Sequence, residues 1–312
     1  MRVFLAGATG VIGRRLVPML LADGHEVTGM TRSPGKVDAL RAAGAEPVVA
    51  DALDASAVAA AVSGARPDAV IHQLTALPPR INPRTIARDF VMNDRLRSEG
   101  TRILVDAAQA AGATRILAQS IAFAYAPGPA GTLHSEGDSL YLDSPEPFKR
   151  SALALADLER KVAEADGVVL RYGYFYGPGS SISASGSMGE DIARRRMPVV
   201  GRGQGVWSFI HVDDAARATV AALTTGAPVA YNIVDDDPAP VAQWLPALAE
   251  ALGARKPRHV PAFIARLAAG SYGVSVMTEA QGASNALAKR ELGWSPAFSS
   301  WREGFRTAAG VS

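Results

Sequence analysis

Three glycines at an even spacing, Gly7, Gly10 and Gly13 in the run GATGVIGRR, are the residues whose type and arrangement most directly imply chemistry. Gly7 can turn the chain sharply, Gly10 lets backbone N–H groups approach an anion, and Gly13 lets a helix pack closely on a strand. A helix starting here turns unsatisfied N–H groups and the positive end of its dipole toward the turn. The anion that suits this arrangement is a pyrophosphate, with Thr9, Val11, Ile12 and Arg14 completing its cradle. The turn works only between a strand and a helix, and both are present: RVFLA precedes it and VIGRRLVPMLLADG follows.

Further binding residues follow from the same expectation. The second strand, in HEVTGMTRSPGK, ends on Thr31, Arg32 and Ser33, where a preference for NAD would call for an acidic residue on the ribose. A guanidinium and a hydroxyl suit a 2′-phosphate, with Arg14 as a second cation, so NADP(H) is expected over NAD(H). Asp51 and Ala52, after the third strand, fall near the adenine. Leu74, Thr75 and Ala76, after the fourth, fall near the cofactor's far ribose.

The positioning elements read as an α/β fold. Short β-rich runs, RVFLA, EVTGMT, EPVV, AVIHQ, RILAQ and GVVLR, alternate with alanine-rich amphipathic segments. Such alternation implies a Rossmann-like, doubly wound parallel sheet buried on both faces. Residues 176–189, YGPGSSISASGSMG, lose all periodicity and read as a mobile loop that could act as a lid. Beyond it come a strand, VWSFI, a helix from HVDDAARATVAAL and a strand, YNIV, before a mainly helical C-terminal region. The expected division is a dinucleotide-binding domain of residues 1–178 and 206–235, with residues 179–205 and 236–312 forming the substrate and lid region.

Composition narrows the function classes. A 312-residue chain that is 48% hydrophobic can fill one large α/β core with a smaller appendage. Its 32 basic and 30 acidic residues leave a net charge of +2, too little for a nucleic-acid surface. Without cysteine there is neither a thiolate nucleophile nor a thiolate metal site, and the five histidines are scattered, so no metal is expected. No apolar run reaches the length of a membrane span. The expectation is a soluble cytoplasmic protein, monomer or homodimer, acting on a small molecule.

GATGVIG, VVADALD, LRYGYFYGPG, VVGRGQGVWSFIHVDDAARA, YNIVDDDPAP and KRELGWSPAF, in this order, resemble the extended or atypical short-chain dehydrogenase/reductases, the group that contains the nucleotide-sugar epimerases and dehydratases. The resemblance spans nearly the whole chain. It implies a bound NAD or NADP, with Tyr174 and Phe175 near the nicotinamide. It also implies a serine after the fifth strand and a Tyr-x-x-x-Lys pair in the next helix, where the tyrosine gives or takes the proton.

This chain departs from that pattern. No tyrosine has a lysine four residues on. In PEPFKRSALALADLERK, with Glu159 on the family's helix glutamate, Ser151 stands where the tyrosine belongs and Leu155 where the lysine belongs. Aligning Phe148 on the tyrosine instead puts Ala152 on the lysine. In AQSIAFAY, Ile121 takes the serine position, and strand alternation turns Ser120 to the other face. Ser120, Tyr125 and Ser151 are therefore only weak catalytic candidates. Trp207 stands where the sugar-nucleotide enzymes carry a diphosphate-binding arginine, which implies a flat, apolar substrate touched by Trp207, Tyr125 and Tyr176. His211, Asp213 and Asp214 read as helix-capping residues.

The reading that follows is an NADPH-dependent ketoreductase acting on an aromatic, polyketide-like carbonyl, with the substrate's own phenol stabilising the oxyanion. The alternatives are a non-catalytic NADP-binding sensor and an epimerase or dehydratase with relocated catalytic groups.

Overall fold

Glycine and alternating apolar runs organise the N-terminal half as the sequence leads one to expect. The computed structural model describes residues 1–82, 85–129 and 131–308. The chain begins β1 (Arg2–Ala6), α1 (Gly13–Ala22), β2 (Glu26–Thr31), α2 (Val37–Ala42), β3 (Glu46–Val49), α3 (Ala55–Ala65) and β4 (Ala69–His72). It continues through α4 (Ile86–Asp89), α5 (Val91–Arg95), a π-helical turn at Leu96–Gly100, α6 (Thr101–Ala110), β5 (Arg115–Ile121), α7 (Phe148–Ala163) and β6 (Val168–Tyr172). Next come β7 (Tyr174–Tyr176), α8 (Ser187–Ala193), β8 (Val199–Val200), β9 (Val206–Trp207), β10 (Phe209–His211), α9 (Val212–Thr224) and β11 (Ala230–Ile233). The last elements are β12 (Ala239–Pro240), α10 (Val241–Ala251), β13 (His259–Val260), α11 (Ala262–Thr278), α12 (Ala286–Leu292) and α13 (Trp301–Ala308).

Seven strands form one parallel sheet in the order β11-β6-β5-β4-β1-β2-β3. Strand order reverses between β1 and β4, where Val3 pairs with both Val27 and Ala69. The crevice outside the carboxyl ends of these two strands is where open α/β sheets bind ligands. β1 and β4 are apolar almost throughout because both faces are covered. Val3, Leu5, Leu16, Ile71 and Ala218 pack on the face carrying α1 and α9. Phe4, Val58, Val70, Leu104 and Leu158 pack on the face carrying α3, α6 and α7.

A third core binds the C-terminal region to the sheet edge: Tyr176, Trp207, Phe209, Trp244, Trp301 and Phe305 are all nearly inaccessible. Here the structure corrects two expectations. VWSFI is two strands: β9 pairs antiparallel with β12, whereas β10 pairs in parallel with β7. Ser208 lies between them, and its hydroxyl accepts the Ala283 N–H at 2.8 Å. The loop after Tyr176 is also shorter than expected. α8 starts at Ser187, and Arg80 latches this helix to the segment after β4 through Glu190 at 2.7 Å and through Asp191.

Candidate active site

The phosphate turn has the geometry that its glycines imply. Gly7 has φ +90°, and a Cβ there would sit 2.5 Å from the carbonyl oxygen of Gln73, next to β4. A Cβ on Gly13 would lie 2.2 Å from the carbonyl oxygen of Gly7, so helix and turn meet backbone to backbone. No side chain caps the α1 N-terminus, and its first turn carries no acidic residue. The Arg14 and Arg15 N–H groups bond back to the Gly10 and Ile12 carbonyls, and the positive end of the α1 dipole faces the turn with no side chain or acidic residue to offset it. A dinucleotide fits this cradle: Gly7, Thr9, Gly10, Val11, Ile12 and Gly13 would hold its pyrophosphate.

Arg14 and Arg32 are exposed, and neither guanidinium makes an ion pair or hydrogen bond among the described residues. Ser33 lies beside Arg32 with its N–H donated to Thr31 Oγ1 at 3.2 Å. Asp51 is exposed and caps its own turn, accepting the Leu53 N–H at 3.0 Å, while Ala52 is buried beneath it. Gln119 donates to the Leu74 carbonyl at 3.2 Å and Asn93 accepts the Ala76 N–H at 3.1 Å, which fixes the segment around Thr75. Arg15 is a positioning residue that sequence reasoning missed. It reaches Asp213 at 2.5 Å and the Pro178 carbonyl at 2.6 Å, tying α1 to α9 and to the loop after β7.

At the proton-donor positions every weak candidate is committed to another group. Ser120 donates to Glu159 at 2.7 Å, on the α7 side of the sheet, as alternation requires. Glu159 in turn holds the Arg171 guanidinium through two hydrogen bonds of 2.9 and 2.6 Å. Tyr125 donates to Asn232 Oδ1 at 2.6 Å and accepts from Arg171 at 2.8 Å. Burial pushes the Tyr125 phenol up to about 12, only partly offset by Arg171, opposite to the shift a positioned acid needs. Ser151 donates to Asp94 at 2.8 Å, and Leu155 is fully buried. The lysine position is thus apolar in either alignment, Leu155 or Ala152, and the tyrosine position holds Ser151, bonded to Asp94, or Phe148, stacked on Tyr272.

The aromatic residues arrange differently from the expectation. Trp207 is 4% exposed, its indole N–H donates to the Val276 carbonyl at 3.0 Å, and its ring is flanked by Tyr174 at 3.9 Å and Trp244 at 4.6 Å. Both faces are covered, so Trp207 supports the wall and does not stack on a substrate. Tyr176 is equally a core residue, edge-on to Phe209 and Phe305. Tyr174 is sandwiched between Trp207 and Phe123, the latter at 4.0 Å, and Phe175 is half-buried against Tyr172. A small cavity of about 30 Å³ lies between Phe123, Tyr125, His134, Phe148 and Tyr272, with Phe148 and Tyr272 stacked at 4.1 Å. Phe148 is the residue that the second alignment sets at the tyrosine position, whereas Tyr272 was not anticipated. A wider cavity of about 470 Å³ runs along α7 and the outer strands β6 and β11, lined by Leu140, Glu159, Gly167, Val169, Arg171 and Val229. It lies at the sheet edge, away from the crevice between β1 and β4.

His211 accepts the Asp213 N–H at 3.2 Å, and Asp214 accepts the Ala297 and Phe298 N–H groups at 2.7 and 3.0 Å. These residues cap α9 and anchor the C-terminal region, as their sequence context implies.

Comparison with known proteins agrees with this geometry. A Streptomyces protein named 3-diazoavenalumate denitrifying reductase is 48% identical over 309 residues, covering 97% of this chain and 99% of that protein. Among solved structures, the UDP-glucose 4-epimerase of Thermus thermophilus in complex with NAD is 24% identical, at a TM-score of 0.77 and covering 100% of this chain and 98% of that one. A Streptomyces venezuelae dTDP-glucose 4,6-dehydratase with NAD bound is 22% identical, also at 0.77, covering 100% and 96%. These distant likenesses concern the fold. The family model described as NAD dependent epimerase/dehydratase matches residues 3–234, and with the glycine cradle and sheet order above, the chain belongs to that family.

Proposed function

We propose that this protein is an NADPH-dependent reductase whose substrate is a flat, aromatic diazo compound, reduced with loss of dinitrogen and without an acid from the protein. The observation that carries the reading is the commitment of Ser120, Tyr125 and Ser151 to Glu159, Asn232 and Asp94. A positioned general acid is worth about 10²–10⁴-fold, or roughly 3–5 kcal/mol of barrier. A reductase without one suits an electrophile that needs no proton.

Bound in the glycine cradle, the dinucleotide supplies hydride. A diazo group conjugated to an aromatic ring has the character of a diazonium cation, so hydride arriving at its terminal nitrogen cancels charge and leaves a neutral diazene. The diazene gives its N–H proton to water, the carbon–nitrogen bond breaks as dinitrogen departs, and the ring carbon takes a proton from water. The sum is diazonium plus hydride giving arene plus dinitrogen. A ketone differs at this point, because hydride addition creates an alkoxide that a phenol on the substrate would have to stabilise. The 48% identical relative, named for denitrifying reduction of a diazo compound, favours the first electrophile.

The chain's residues have simpler duties. Gly7, Gly10 and Gly13 admit the pyrophosphate, Arg14, Arg32 and Ser33 meet a 2′-phosphate, and Leu74 to Ala76 with Tyr174 and Phe175 lie toward the nicotinamide end. Phe123, Phe148 and Tyr272 offer flat apolar surface. Incubation of the purified protein with NADPH and 3-diazoavenalumate carrying labelled nitrogen, with the gas analysed by mass spectrometry, tests the proposal. One dinitrogen per NADPH oxidised is the expected result. Oxidation with an ortho-hydroxyaryl ketone but not with the diazo compound would establish a ketoreductase. NADPH binding with no turnover of either would favour a sensor.

A further inference from the structure

Arg97 is a buried cation in the segment that leads into α6. It is 8% exposed, yet its guanidinium makes no hydrogen bond and no ion pair among the described residues. Its neighbours are the Asp94 carboxylate, one turn earlier, and the neutral phenol of Tyr272 on α11. Asp94 lies beyond ion-pair distance and accepts the Ser151 hydroxyl instead. Burial alone draws the Arg97 guanidinium down to about 10. A mostly buried guanidinium whose donors meet no protein acceptor is retained by a fold chiefly where an anion arrives to meet it.

The backbone around Arg97 is special as well. The buried stripe of this segment runs Asn93, Leu96, Arg97, Gly100 and Thr101, so the charge sits on the inward face. Arg97 also lies in the π-helical turn between α5 and α6, a local widening that recurs at functional sites. Asn93, on the same segment, holds the Ala76 N–H beside the cofactor edge, and Thr101 holds His72 at 3.0 Å, at the end of β4. On the other side, Tyr272 stacks on Phe148 at the aromatic cavity. The guanidinium is thus set between the dinucleotide edge and the aromatic surface.

From this placement we infer that Arg97 receives a carboxylate carried by the flat substrate, and so orients the reducible group toward the nicotinamide. The planar fork of a guanidinium matches a carboxylate through two parallel hydrogen bonds. The inference rests on the proposed function for the substrate's flat, conjugated character, and the name of the 48% identical relative's substrate ends as a carboxylate. The other anion within the site, a cofactor phosphate, belongs to the α1 turn and its own cations.

The probes are trans-cinnamate and cinnamamide, equal in shape and different in charge, titrated calorimetrically into the full-length protein saturated with NADP⁺. Wild type is expected to bind the acid at least about tenfold tighter than the amide. Arg97→Gln should remove that preference, Arg97→Lys should recover part of it, and NADPH affinity should stay within about twofold in both. Equal binding of acid and amide by wild type overturns the inference, as does a preference retained in Arg97→Gln or a loss that falls on NADPH instead. If Arg97→Gln fails to fold, the wild-type comparison and Arg97→Lys decide the question. Because no turnover is required, a carboxylate preference can stand even in a protein that reduces no diazo compound.

Discussion

The phosphate turn and the β5–α7 edge use one scaffold in opposite ways. At the turn, the geometry is set by backbone, and the places where a Cβ would collide, Gly7 and Gly13, are glycine. At the β5–α7 edge, chemistry in the resembling enzymes is done by side chains, and here Ile121, Ser151 and Leu155 fill those positions. The scaffold around the missing groups is intact: α7 still buries Ser151, Ala152, Leu155, Leu158 and Val162 along one stripe. The difference teaches that the glycine cradle and the proton-donor side chains are separable, so that one can be kept while the other is absent.

The largest effect should come from breaking the turn. Gly13→Val places a side chain where even a Cβ would lie 2.2 Å from the Gly7 carbonyl. NADPH affinity measured by fluorescence titration should fall by at least about a hundredfold, or the protein should fail to fold, since backbone cannot yield as a side chain can. Near-normal affinity would remove the turn from the site.

A second effect belongs to the sheet between the two regions. His72 is 2% exposed; burial first of all, with Arg97 adding to it, lowers its pKa to about 4 from 6.5. The unfolded chain therefore takes up a proton that the folded chain refuses. The stability gained by keeping the ring neutral in the fold is complete above the unfolded value and is lost as pH falls toward about 4. The loss amounts to about 3 kcal/mol at most, visible as a falling urea midpoint between neutral and acidic buffer. His72→Gln should flatten that part of the profile, and an unchanged profile would contradict the assignment.

Smaller still is the cofactor preference. Arg32→Ala should erase most of an about tenfold advantage of NADPH over NADH, close to 1.4 kcal/mol. Equal affinities in the wild type would show that Arg14, Arg32 and Ser33 do not meet a phosphate. The smallest expected effect on turnover comes from Ser120→Ala, Tyr125→Phe and Ser151→Ala, each well short of the about hundredfold loss of a general acid. Their cost should appear in stability, about 1–3 kcal/mol where a buried partner is left unsatisfied.

Legibility in the sequence divides along the same line. Strand and helix positions in the sheet, the glycine cradle and the capping role of His211 and Asp214 follow from local periodicity and turn chemistry. The absence of a tyrosine–lysine pair is equally a matter of reading residues. Trp207 and Tyr176 were misplaced because exposure of an aromatic side chain depends on β9, β10 and α10 packing together, which no local pattern records. Arg97 left a usable trace, a charge on the apolar face of NDRLRSEGT, but its lack of a partner is a property of the assembled fold. Arg15 and Tyr272 left none, since their partners are far away in the chain.

In the proposed reaction no proton is in flight when hydride moves. Stopped-flow decay of NADPH absorbance, with protein and 3-diazoavenalumate in ordinary and heavy water, measures this directly. Matching rates, a ratio of about 1, are the predicted result, because an acid that transfers no proton in the transition state leaves no isotope signature. A ratio of about 2 or more would contradict the account and show that a protein or solvent acid acts in the same step.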